Sequence, residues 1–128
     1  MLIEHFYSIT HQQVIAENAW SVTLKLNPKH ALYKGHFPEH PVVPGVCMLQ
    51  FIKECVEKYR EQSLQYAKIV SCKFLSALNP VDAPTLVLEL LLKQSEDGKL
   101  QLLVEGKTGG EAEEGIAFIK LKAQLIEQ

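Results

Sequence analysis

"PGVCMLQFIKECVEKYREQ", residues 44–62, is the stretch of this chain that reads as a long helix, and the rest of the fold is arranged around it. Pro44 suits a helix start, because its fixed φ fits the first turn and its missing N–H would have no acceptor there. Val46, Met48, Leu49, Phe51 and Ile52 then point in almost every direction around the first turns. Further along, Cys55, Val56 and Tyr59 form a single stripe between Glu54, Glu57, Lys58 and Arg60. A helix apolar all round at its start and amphipathic at its end is buried first and surfaces later. The spacing predicts a helix over about residues 44–61, with residues 46–52 enclosed.

Outward from that helix the chain reads as strands. "WSVTLKLN" (20–27) alternates Val22, Leu24 and Leu26 with Ser21, Thr23 and Lys25, a half-buried strand closed by the Asn27-Pro28 turn signal. Residues 5–16 are its expected hairpin partner, on a weaker pattern. After the helix come "YAKIVSCKFLSAL" (66–78), "TLVLELLLKQ" (85–94), "KLQLLVEGKT" (99–108) and "GIAFIKLKAQLIE" (115–127), all rich in β-formers. Pro80 and Pro84 punctuate the first gap, and "EDGK" (96–99) carries the Asp-Gly hairpin signal. "GGEAEEG" (109–115) is a polar turn whose acidic run reads as a solvated loop. A hairpin, one long helix and an antiparallel meander make a single α+β domain over residues 1–128, with the helix against one sheet face. One sheet around one helix leaves edges or a face uncovered, so self-association is expected.

Composition narrows the classes of function. With 128 residues, 47% apolar and 22% charged, the chain has the ordinary balance of one globular domain. A net charge of −2 gives no pull towards nucleic acid or an anionic membrane surface. No apolar run reaches the roughly 18 residues that a membrane span needs, so no insertion is expected. "MLIEHFYSIT" lacks the basic and apolar regions of a secretory signal, which makes a cytoplasmic location the expectation. Cys47, Cys55 and Cys72 are an odd number without metal spacing and read as reduced, structural thiols. A reactive Cys47 is the alternative, because it lies near the loop described next.

"KGHFPEHPVVPGVCMLQ" (34–50) places two histidines among three prolines and two glycines just before the helix. The first N–H groups of the helix point back at this loop, and a helix N-terminus stabilises negative charge, including a carbonyl oxygen becoming an enolate. Beside it stands His36, a base at neutral pH by its ordinary chemistry. A fixed base next to an oxyanion donor is what proton abstraction beside a carbonyl requires. Pro38, Pro41 and Pro44 restrict the loop and so lower the entropy lost in positioning His36. His36 and His40 are spaced like a helical metal pair, but Pro38 and Pro41 forbid a helix there, so no metal is expected. His40 reads as solvent-facing. His5, His11 and His30 show no recognisable partners, and no Ser or Cys sits in a nucleophile elbow.

"GHFPEHPVVPGV" (35–46) resembles the signature G-H-F-P-G-x-P-x-x-P-G-V of the 3-hydroxyacyl-[acyl-carrier-protein] dehydratases of fatty-acid synthesis, with Glu39 where the family usually has Gly. The order of elements agrees over about residues 15–125. The resemblance implies the hotdog fold, an antiparallel sheet wrapped around a central helix. It also implies assembly as a homodimer or larger oligomer, and a substrate carried on acyl carrier protein through 4'-phosphopantetheine. It implies no cofactor, since the thioester itself acidifies the α-carbon. Carried over residue by residue, it makes His36 the catalytic base and gives the Gly45 N–H to the thioester carbonyl, with Phe37, Pro44 and Val46 lining the substrate site.

The family's second group, a helix carboxylic acid reaching in from the other subunit, falls on Gln50. An amide can donate a hydrogen bond but cannot deliver a proton to a departing hydroxyl. Where the family reads Glu-Ala-x-Ala-Gln, this chain reads "QFIKE" (50–54), so acid and amide have changed places and Glu54 lies one turn on. Glu54 is therefore a candidate substitute acid, against the plainer reading of a surface or dimer-interface charge. Three functions stay open on these residues: a dehydratase, a hotdog acyl thioesterase, and a non-catalytic acyl-binding subunit pairing with another hotdog chain that supplies the acid.

Overall fold

The computed structural model describes residues 5–35, 41–109 and 115–128. Its elements run β1 (Tyr7–Ala16), β2 (Ala19–Leu26), a 3-10 turn (Ala31–Gly35), α1 (Gly45–Arg60), β3 (Leu64–Phe74), β4 (Thr85–Gln94), β5 (Leu100–Thr108) and β6 (Ala117–Glu127). The strands form one antiparallel sheet in the order β1-β2-β4-β5-β6-β3, with β1 and β3 at its edges. Asn18, in the left-handed region at φ 58°, turns β1 into β2. Gly98, at φ 84°, does the same between β4 and β5, where a side chain would be strained.

Alternation decides which face is covered. Trp20, Val22, Leu24 and Leu26 of β2 are buried, as are Leu86, Leu88, Leu90 and Leu92 of β4. Leu102 and Val104 of β5 and Leu121, Ala123 and Leu125 of β6 continue the same face. Against it α1 buries Cys47, Met48, Phe51, Ile52, Cys55 and Val56. Each such aliphatic or aromatic side chain removed from water contributes about 1.5–3 kcal/mol, which makes this interface the main stabilising contact of the chain. The Tyr7 ring of β1 meets Phe51 at 5.7 Å on one flank. On the other, the Tyr66 hydroxyl of β3 donates to the Leu49 carbonyl at 2.7 Å. An open sheet packed against one central helix is the hotdog arrangement implied by the motif.

The helix lies within one residue of its expected bounds at each end, but its burial differs from expectation. Val46, expected to be enclosed, is 74% exposed. Only one side of α1 meets a sheet, so apolar character all round does not bring burial all round within a single chain. The later turns keep the expected stripe, with Cys55 and Val56 buried, Tyr59 half-buried and Lys58 exposed. The buried stripe continues to Val56 because β2 extends beneath it, with the Trp20 indole stacked on the Tyr59 ring at 3.8 Å. β3 stops at Phe74 rather than reaching residue 78, since its pairing with β6 ends at Phe74 opposite Ile119. β6 starts at Ala117 rather than at 115. Cys47 and Cys55 are buried and Cys72 half-buried, all three unpaired, as structural thiols would be. Residues 110–114 of the acidic turn lie outside the described residues.

Candidate functional site

The start of α1 is built by the chain on both sides of the motif. Pro44, at φ −63° and ψ 145°, caps the helix with no side-chain hydrogen bond, and its carbonyl takes the N–H groups of Cys47 (3.0 Å) and Met48 (3.2 Å). The N–H groups of Gly45 and Val46 come before the first intrahelical donors, so the helix itself offers them no acceptor. The approach to this end is anchored: Pro41 and Val43 are buried, and the Val43 N–H donates to the Leu78 carbonyl at 2.9 Å. Across from it, the Phe74 ring of β3 packs on Gly45 so closely that a Cβ there would lie 2.7 Å from Cζ. Glycine is favoured here for space, not for its φ, because any side chain would have to displace the Phe74 ring. The motif's other end leaves the 3-10 turn, which Tyr33 fixes by packing on Phe6 at 5.8 Å. His36, Phe37, Glu39 and His40, with Pro38, lie outside the described residues.

Gln50 and Glu54 are joined in the structure. Gln50 Nε2 donates to Glu54 Oε2 at 2.7 Å, and the Tyr7 hydroxyl donates to Glu54 Oε1 at 2.8 Å. Both carboxylate oxygens are thus taken by protein donors, and all three side chains are half-buried. Glu54 is therefore not a plain surface charge. Burial first, then the Cys55 thiol and the Glu54 carboxylate, push ionisation of Tyr7 well above the ordinary tyrosine range, so its hydroxyl remains a donor. Sequence reasoning did not single out Tyr7. Its place on the helix-facing side of β1 follows from pairing with Leu26, but its contact with a residue 47 positions away has no sequence signal. Phe74 was missed for the same reason: its ring reaches Gly45 across the sheet edge.

Of the other candidates, His30 has partners after all. Its Nδ1 accepts the Leu32 N–H at 3.0 Å, and its ring meets Phe6 edge-on at 5.3 Å. Among the described residues there is no cluster of His, Cys, Asp and Glu fit for a metal ion. Two grooves among the described residues do not include Gln50. One of about 520 Å³ lies across the sheet and includes Lys73, Leu91, Leu103 and Lys120, and another of about 520 Å³ lies beside Tyr33, Lys29 and Pro41. No helix among the described residues is long and apolar enough to cross a membrane.

Helix α1 thus carries leading N–H groups without an intrahelical acceptor, a Gln50 amide whose Nε2 faces a carboxylate, and a Glu54 carboxylate that accepts one donor on each oxygen. Such N–H groups can hold a carbonyl oxygen, and a side-chain amide can hydrogen-bond a hydroxyl. Several known proteins resemble this chain. The model of the ApeI-like family, described as ApeI dehydratase, matches residues 11–114. The 3-hydroxyacyl-[acyl-carrier-protein] dehydratase FabZ of Ruminiclostridium cellulolyticum is 29% identical over 97 residues, covering 69% of this chain and 68% of that one. The FabZ of Chlamydia abortus is 27% identical over 128 residues, covering 91% and 79%. Other relatives of the same description are matched over 64% of their own length. Among solved structures, the dehydratase heterocomplex ApeI:P from Xenorhabdus doucetiae superposes with a TM-score of 0.72 at 20% identity, covering 94% of this chain and 97% of that one. That likeness shows the fold, and the family match spans both the proline-rich motif and the helix pair Gln50–Glu54: the chain belongs to the ApeI-like family of FabZ-like hotdog dehydratases.

Proposed function

We propose that this chain dehydrates 3-hydroxyacyl thioesters, carried on acyl carrier protein through 4'-phosphopantetheine, to trans-2-enoyl thioesters. The observation that carries this reading is the start of α1, where Gly45 follows the motif with its N–H unclaimed by the helix. The thioester carbonyl oxygen sits on that N–H. His36 removes the α-proton, and the electron pair moves into the carbonyl to give an enolate held by the helix N-terminus. The enolate then re-forms the carbonyl, the Cα–Cβ double bond forms, and the Cβ–O bond breaks. The departing hydroxyl needs a proton. Gln50 has none to give, and Glu54 has both oxygens committed to Tyr7 and Gln50. Protonated His36 returns the proton it took, and water leaves. Phe37, Pro44 and Val46 line the acyl end of the site.

The same reading has the chain at work in an assembly. β3 presents an unpaired edge, with Ile69, Val70 and Phe74 exposed along it and Leu75 exposed just beyond its end. A second copy, or an unlike hotdog subunit, covers that edge, and Val46 with it. The Xenorhabdus relative's description as a dehydratase heterocomplex supports the unlike partner. The experiment is a dehydration assay on the purified chain with 3-hydroxyacyl carrier-protein thioesters, followed by ultraviolet absorbance of the enoyl product. The sizes of the particles are measured in the same preparation. Free thiol without enoyl product would indicate a thioesterase instead. Inactivity repaired only by adding a second hotdog subunit would indicate a dependent partner.

A further inference from the structure

We infer that Tyr7 is a positioning residue which, through Glu54, turns the Gln50 amide so that its carbonyl oxygen receives the substrate's 3-hydroxyl. This rests on the placement of Gln50 in the site proposed above. The two ends of a side-chain amide have opposite capacities: its nitrogen donates and its oxygen accepts. A neighbouring carboxylate only accepts, so it dictates which end faces it. Here Gln50 Nε2 faces Glu54 Oε2 at 2.7 Å, which leaves the Gln50 oxygen at the far end, without a donor among the described residues.

Glu54 can impose this only if it is itself held. Its second oxygen is held by the Tyr7 hydroxyl at 2.8 Å. Tyr7 in turn is fixed by strand pairing opposite Leu26 and by its ring on Phe51. Burial keeps that hydroxyl protonated, so it stays a donor across the working pH range. An acceptor at position 50 recognises a substrate that carries a hydroxyl and offers nothing to the enoyl product, which has lost it. The chain Tyr7–Glu54–Gln50 therefore separates substrate from product at the carbon where the two differ.

The test uses two non-hydrolysable thioether analogues of acyl-pantetheine, one with a 3-hydroxyl and one without, titrated calorimetrically into the purified protein. The wild type should favour the hydroxylated analogue by about tenfold, the worth of one good hydrogen bond. Tyr7→Phe keeps the ring on Phe51 and should bring that ratio close to one with little change for the deoxy analogue. Glu54→Ala, at a position where alanine favours the helix, should do the same. The double variant should lose nothing more, because both changes break one chain of contacts. A merely structural role for Tyr7 would weaken both analogues alike and add to the effect of Glu54→Ala. An unchanged ratio in Tyr7→Phe, additive losses, or no preference in the wild type overturns the inference. If Tyr7→Phe does not fold, the ratio in Glu54→Ala decides. Dehydration is assayed separately on the wild type: absence of enoyl product with the tenfold preference intact would refute the reaction and leave the hydroxyl reading standing.

Discussion

The Phe74 ring of β3 closes over Gly45 at the first turn of α1, leaving no room for a side chain: a Cβ there would stand 2.7 Å from Cζ. The two residues are 29 positions apart, and the contact joins the sheet edge to the proposed carbonyl-binding N–H. Within the single chain Phe74 is 52% exposed, so its ring can shift there when pushed.

Gly45→Ala should therefore fold, but with the ring displaced or the helix start shifted by a few tenths of an ångström. Turnover should fall by about tenfold, since small misplacements of a reacting geometry have effects of that order or larger. Adding Phe74→Ala should restore most of it. Steady-state kinetics on the single and double variants check this, and a double variant no better than Gly45→Ala would show that the ring is not the obstacle.

The Trp20–Tyr59 stack ties the second half of α1 to β2, with planes 7° apart. Tyr59→Ala removes the aromatic partner and part of the cover over a fully buried indole. A loss of about 2 kcal/mol is expected, read from urea unfolding. Tyr59→Phe should keep nearly all of it, because the stack and not the hydroxyl is the stabilising contact.

Stability should also fall in alkali through Cys55. Burial, then the nearby Glu54, pushes its thiol up to about 12 in the folded chain, whereas an exposed thiol ionises near 8.5. Below the unfolded value both states keep the proton and the full stability is present. Between the two values the unfolded chain releases a proton that the folded chain retains. Stability then drops by about 1.4 kcal/mol per pH unit from this group, until the folded thiol also ionises near the top of the window. Urea midpoints at pH 8, 9 and 10 should decline, and Cys55→Ala should flatten the decline.

Much of this fold was legible because period and punctuation agreed. β4 came out at its expected bounds since "TLVLELLLKQ" is flanked by Pro84 and the Asp97-Gly98 turn, and α1 because Pro44 marks its start. The sequence misled where burial depends on what lies opposite. Val46 is as apolar as Phe51, but the sheet covers only one of them. The family resemblance implied roles for Gly45, Gln50 and Glu54, which lie on one continuous segment. Tyr7 and Phe74 join the site only through strand pairing, and no local pattern records which side chain a folded sheet brings to a helix.

The exchange of acid and amide on α1 makes a further prediction. With both oxygens of Glu54 held by neighbours, Glu54→Gln should lower dehydration by no more than about tenfold, well short of the 10²–10⁴-fold expected for losing a proton-transfer group. Gln50→Glu sets two carboxyl groups side by side, and one of them should retain its proton at neutral pH because like charges so close cannot both ionise. That variant regains a donor at the family's acid position, and its turnover should rise. Initial rates on both variants settle the matter: abolition by Glu54→Gln would make Glu54 the acid.

The most direct measurement is the appearance of enoyl thioester from a 3-hydroxyacyl carrier-protein thioester, compared between the wild type and His36→Ala. Ultraviolet absorbance should rise with the wild type and slow by about 10²–10⁴-fold in the variant, with fold and particle size retained. Equal rates in the two proteins, or free thiol released without any enoyl product, would contradict dehydration by His36.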